Sequence, residues 1–212
     1  MAKRKSQRSA ESLIPDVPTL PTLQDAAANC KACDLWENAT QTVFGEGKTS
    51  AKVLFVGEQP GNEEDLDGRP FVGPSGRLLD QALELAGIDR RLTYVTNVVK
   101  HFKWEPRGKR RIHKKPNTTE IEACIPWIKA EIALVKPKII VCLGATAAQT
   151  LLGKDFRVST QRGKPVPSPL APIVMATVHP SSILRADDES RQIEFQRFID
   201  DLKMAANALN RK

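Results

Sequence analysis

The chain lacks any apolar run long enough to cross a membrane, and its basic start, MAKRKSQRS, is not followed by the apolar core of a signal peptide. Those two absences point away from membrane insertion and secretion and toward a soluble intracellular protein. Cysteine is scarce, with four among 212 residues. In an intracellular setting such a set argues against structural disulfides and turns attention to metal binding. No internal repeat is present, so the chain is not an array of copied units. Net charge is missing as well, except in one place. Lys100 to Lys115, KHFKWEPRGKRRIHKK, holds eight Lys or Arg against one Glu, and that excess of seven equals the net charge of the whole chain, +7. The other residues sum to zero. The protein therefore carries one concentrated patch suited to a phosphate backbone, and nucleic acid is the first partner to test.

His113 stands inside that patch and has two readings. In one it is a further polar residue on a solvated basic loop. In the other, the flanking cations disfavour the imidazolium, leaving a neutral ring with a free lone pair near pH 7. A neutral imidazole is a competent nucleophile.

With 41% hydrophobic residues, the length suits one compact domain, expected over residues 23–212. Residues 1–22, with Pro15, Pro18 and Pro21, show no hydrophobic periodicity and read as a flexible or extended basic leader. Lys52 to Gly57, Tyr94 to Val99, Lys138 to Gly144 and Ile173 to His179 are short, nearly continuous apolar runs, as strands buried on both faces require. Helical patterns fall between and after them, at Ser75 to Ala86, Thr118 to Val135, Ala145 to Leu152 and roughly Ser190 to Leu209. The expected fold class is α/β, a three-layer αβα domain with a central, mostly four-stranded parallel sheet and right-handed crossovers.

Ligands of such folds bind beyond the carboxyl ends of the strands. The first strand leaves through Gly57, Glu58 and Gln59 toward Asp65 and Phe71, the second through Asn97, and the last through His179 and Ser181. Each polar residue alone could be a satisfied loop group. Glu58, Asn97 and His179 converging on one crevice point to a site. A second constellation is Cys30-Lys31-Ala32-Cys33 with Cys124 and, as a fourth ligand, His101. By ligand arithmetic this is either a zinc site or an iron–sulfur site with one imidazole ligand. Cys142, within an apolar strand, reads as a core residue.

GEQPG followed by ED, RPFVGPSG, TNVVK, the C-x-x-C with Cys124, and HPSSILR together resemble the family 4, iron–sulfur-containing uracil-DNA glycosylases, from about Cys30 to the end of the chain. Two departures are Gln59, where that family usually has Ala, and His101, where it has a Cys ligand. GEQPG together with KRRIH, Lys109 to His113, resembles the UdgX-type branch, which becomes covalently joined to uracil-containing DNA. The resemblance implies a 4Fe-4S cluster on Cys30, Cys33, His101 and Cys124, and uracil-containing DNA as partner, with single strands accepted. Together with the solubility and lack of targeting expected above, it points to a bacterial cytoplasm, and nothing in the sequence points to an obligate oligomer.

On that basis Phe71 stacks on a flipped-out base and the Asn97 amide reads it, with Gly57 and Gln59 beside them. His179 stabilises charge on the departing uracil, Glu58 the sugar cation, and His113 captures C1′. Asp65, Lys109, Arg110, Arg111, Ser181 and Arg185 support the loop and the DNA: Arg111 clamps a phosphate or positions the loop, and Gln59 and Asp65 hold the loop by hydrogen bonds or a charge pair. Two other readings stay open: a turnover glycosylase in which the His113 loop only binds DNA, and a metal-stabilised nucleic-acid-binding module without chemistry.

Overall fold

A computed structural model describes residues 9–210. Four five-residue strands form the central sheet: β1 (Val53–Gly57), β2 (Thr93–Asn97), β5 (Ile139–Leu143) and β6 (Ile173–Thr177). Their order is β2-β1-β5-β6, and every pairing is parallel. Because strand side chains alternate, each run feeds two cores. Leu54, Val56, Ile140, Cys142, Val174 and Ala176 pack on one face with Trp127 and Ile128 of α4 (Thr118–Val135) and Ala147 of α5 (Ala145–Leu152). Val53, Phe55, Val141, Leu143 and Met175 pack on the other with Leu79 and Leu83 of α3 (Pro74–Ala86) and Phe198 and Leu202 of α8 (Asp188–Asn210). This is the expected three-layer αβα arrangement with a four-stranded parallel sheet.

The remaining elements are α1 (Leu20–Ala28), α2 (Asn62–Asp67), α6 (Val158–Gln161), α7 (Pro180–Leu184) and a hairpin, β3 (Trp104–Arg107) with β4 (Arg110–His113). The hairpin pairs Trp104 with His113 and turns at Gly108, whose φ is +60°. In the sequence this stretch is a loop by composition, since its apolar residues are too few to mark a strand pair.

Two expectations change. Of the leader at residues 1–22, residues 1–8 lie outside the described part, but Ala10–Leu13 form a 3-10 helix with Ala10 fully buried against the same core as α4. Helix α1 then begins at Leu20, before the expected boundary, with Thr19 and Thr22 in a capping box. The basic stretch is also not one surface patch. Lys100 is fully buried, its Nζ 2.6 Å from Glu131 Oε2 and within hydrogen-bond reach of Thr96 Oγ1 and the Asn97 carbonyl. Glu131 also accepts from Tyr94 Oη and Gly45 N, so the buried charge pair has its lone pairs occupied.

Candidate active site

All four sheet strands deliver residues to one cavity of about 980 Å³ at their carboxyl ends. β1 gives Glu58 and Gln59, β2 gives Asn97, β5 gives Gly144 to Thr146, and β6 leads into His179. Phe71, Ser181 and Arg185 line the same space, and the hairpin brings Ile112 and His113 over it. Glu58, Asn97 and His179, expected from sequence to converge on one crevice, all line this cavity.

Gly57 lies behind the cavity wall. A Cβ on it would stand 2.3 Å from Asn97 Oδ1 and 2.9 Å from Phe71 Cζ, so the amide and the ring approach only because the side chain is missing. Phe71 is buried and takes φ +59°, an uncommon backbone setting for a bulky residue, and its ring centroid is 6.2 Å from that of His179. Glu64, buried beneath this loop, accepts from Gly61 N at 3.0 Å and Gly73 N at 2.8 Å and so ties its two sides together.

His179 is the N-cap of α7, and its Nδ1 accepts from Ser181 N at 3.1 Å. A neutral imidazole that accepts at Nδ1 carries its proton on Nε2, which makes it a donor. Burial, helped by the fields of Arg185 and His113, holds His179 down to about 4, so it is neutral at pH 7.

His113 Nε2 lies 3.5 Å from Glu58 Oε1. The side chain is half exposed, and its partial desolvation lowers the imidazole below its ordinary range; Glu58 opposes this shift and Arg185 adds to it. The flanking lysines invoked from sequence are not the main cause; desolvation is. The other oxygen of Glu58, Oε2, accepts a short bond from Thr146 Oγ1.

The hairpin is fixed by side chains that reach it from the core. Gln59 Nε2 donates to the carbonyls of Lys103 (3.2 Å) and Lys114 (2.9 Å), and its Oε1 accepts from Lys103 N (3.0 Å). Gln59, placed by resemblance both beside the uracil and as a tie to the loop, lines the cavity while its amide holds the hairpin. Arg111 donates to the fully buried Asp65 at 2.6 Å and to Asn62 Oδ1 at 2.7 Å, and lies 5.4 Å from the rings of Phe102 and Trp104. So occupied, it is a brace for the hairpin and not a phosphate clamp. Lys109 and Arg110 sit exposed at the hairpin end and do not line the cavity.

Thr146 and Glu64 were not picked out from sequence, and Lys115 only as the end of the basic stretch, although all three line the cavity. For Thr146 the signal was available: the rule that led to Glu58, Asn97 and His179, applied to the exit of β5, leads to Gly144-Ala145-Thr146.

The three expected cysteine ligands form one group away from the cavity. Cys30 and Cys124 are buried, with Cys33 partly so. Burial pushes Cys33 up to about 11 and Cys124 up to about 12, and the neighbouring thiols of the group add to both shifts. Trp127 Nε1 donates to Cys30 Sγ at 3.4 Å and Lys100 N to Cys124 Sγ at 3.3 Å, contacts suited to thiolate ligands. His101 is buried and neutral, but its Nε2 is 2.9 Å from Thr42 Oγ1. Among the described residues no three His, Cys, Asp or Glu stand ready around a single ion. Three thiols are at hand as sulfur donors but do not close on one ion here, and the imidazole is engaged with Thr42. Cys142 is fully buried in β5, a core residue as expected.

Residues 44–203 match the model of the uracil DNA glycosylase superfamily, and the chain belongs to that superfamily. It is 36% identical to the type-4 uracil-DNA glycosylase of Thermotoga maritima over 90% of this chain and 94% of that one. It is 38% identical to the type-4 uracil-DNA glycosylase of Sulfurisphaera tokodaii over 78% of this chain and 76% of the other. In fold it is similar to the wild-type SMUG2 crystal structure from Pedobacter heparinus, with a TM-score of 0.55, 15% identity, and 74% and 77% of the two chains covered.

Proposed function

We propose that this member of the superfamily excises uracil from DNA and that His113 then captures C1′ of the resulting abasic site. The observation that carries the capture step is His113 Nε2 standing 3.5 Å from Glu58, on a braced hairpin over the cavity that Phe71 and Asn97 line. The similarity to type-4 uracil-DNA glycosylases supports uracil-containing DNA as substrate. The cavity is large enough for a flipped nucleotide, whose unstacking costs a few kcal/mol and least in single strands.

In this reading Phe71 stacks on the base while Asn97 Oδ1 accepts from N3–H and its NH2 donates to O4. Cytosine presents the reverse pattern at those atoms, and a desolvated amide rejects it by ~10⁴. The His179 Nε2–H donates to O2 as the C1′–N1 bond breaks and its electron pair leaves with uracil. Glu58 stabilises the positive sugar. The His113 Nε2 lone pair forms the new bond to C1′, and the imidazole proton is lost and balanced by the proton uracil takes up. The product is an N-glycosyl imidazole, whose C–N bond resembles that of a nucleoside and resists hydrolysis.

A four-iron, four-sulfur cluster would be held by Cys30, Cys33, Cys124 and, once it releases Thr42, His101; zinc is the alternative metal. When bound, such a group would cross-link the segment before β1, the end of β2 and α4, and so support the base of the hairpin.

The test mixes the protein with labelled single-stranded uracil DNA on denaturing SDS gels, beside His113→Ala and a thymine control. A shifted band that needs both uracil and His113 supports the reading. Alkali-labile sites without a shifted band mean ordinary turnover, and neither product means a binding protein.

A further inference from the structure

Glu58 faces two partners with its two oxygens. Oε1 is turned to His113, and Oε2 accepts from the hydroxyl of Thr146. An ionised carboxylate only accepts, so the Thr146 proton is the donor, and its presence decides which oxygen is left for His113 and the sugar.

Thr146 is held as a positioning group should be. It is buried, it stands in the first turn of α5, and its own carbonyl accepts from Thr150 Oγ1 at 2.7 Å. The residue that aims it is Gly144, with φ +87°, where a Cβ would stand 3.0 Å from His179 Cβ. The bare backbone at Gly144 therefore lets the start of α5, which carries Thr146, close against His179. Glu58 itself is partly open to solvent, its side chain 22% exposed, and among the described residues the Thr146 hydroxyl makes the one hydrogen bond to its carboxylate.

We propose that Thr146 is a positioning residue that orients Glu58 for the step at C1′. This rests on the reading above, in which Glu58 acts on the sugar. A carboxylate rotated by about 1 Å from its working position is enough to cost roughly 100-fold in rate.

The experiment measures single-turnover rates of adduct formation and of uracil release for wild type, Thr146→Val, Thr146→Ser, Glu58→Gln and the Thr146→Val/Glu58→Gln pair, with circular dichroism to confirm folding. Thr146→Val should slow the adduct by about 10- to 100-fold, Thr146→Ser should recover most of the rate, and Thr146→Val should cost little more once Glu58 is Gln, since the two act as one unit. A wild-type rate in Thr146→Val, failure of Ser to restore it, or an undiminished loss in the Glu58→Gln background overturns the proposal. If wild type forms no adduct, the capture reading fails separately. The same pattern read on uracil release would then still uphold Thr146 as the residue that sets Glu58, and its absence there would overturn it.

Discussion

Arg111 Nη1 donates to Asp65 Oδ2 at 2.6 Å and joins β4 of the hairpin to α2, 46 positions earlier in the chain. Asp65 is fully buried and also accepts from Thr40 N, so the bond lies in a low-dielectric setting. Because His113 is two residues beyond Arg111 on the same strand, this brace sets where the imidazole stands. Arg111→Ala should leave uracil excision within about threefold of wild type while adduct formation falls at least tenfold, as expected of lost orientation. Asp65→Ala leaves a partly buried cation without its partner and should destabilise the fold by about 3 kcal/mol in urea titrations. Equal loss of excision and capture in Arg111→Ala would mean that the brace serves the pocket as a whole.

Capture needs the neutral imidazole, and burial lowers His113 below its ordinary range. The adduct rate should therefore stay level as pH falls from 8 through about 6.5, the value of a free imidazole, and decline only below it. Arg185 pushes in the same direction as burial. Removing its charge favours the imidazolium, so Arg185→Gln should move the midpoint upward. Single-turnover rates between pH 4.5 and 8 check both statements; a wild-type midpoint above 6.5 contradicts the first.

Gly57→Ala adds a methyl group 2.3 Å from Asn97 Oδ1 and 2.9 Å from Phe71 Cζ. The amide and the ring have to move, so excision should fall by at least 100-fold while the α/β fold persists in circular dichroism. A fully active Gly57→Ala would show that Asn97 does not read the base from its present position.

The sheet was legible because β1, β2, β5 and β6 are buried on both faces and so read as apolar runs. Thr118–Val135 and Ala145–Leu152 were legible to the residue, since Lys136 at φ +47° before Pro137 and Gly153 end them. The hairpin was not, because its pairing is stabilised from outside it, by Gln59, Asp65 and Asn62. The role of Lys100 was hidden for a similar reason. Its neighbours in sequence are basic, and its partner Glu131 lies 31 positions away on α4. Periodicity sees local neighbours, whereas ion pairs and braces are contacts made at long range.

That difference separates the cations of the basic stretch into two sets. Lys100, Lys103, Arg111 and Lys114 are paired with Glu131, Glu120, Asp65 and Glu105. Arg107, Lys109, Arg110 and Lys115, all exposed, have no carboxylate partner among the described residues, and Lys109 and Arg110 stand at the hairpin end. A cation already neutralised releases few counterions from DNA, so the salt dependence of binding should rest on the second set. For single-stranded DNA each phosphate contact contributes about 0.7 to the slope of log K against log salt, so Lys109→Ala/Arg110→Ala should lower its magnitude by about 1.4. Lys103→Ala and Lys114→Ala should each change it by less than half of one contact. Fluorescence anisotropy with the His113→Ala background, which prevents covalent capture, measures this at several salt concentrations. Equal slopes for the two sets would mean that the surface ion pairs of Lys103 and Lys114 open on binding, and that charge counted along the sequence describes the DNA-binding face better than the pairing does.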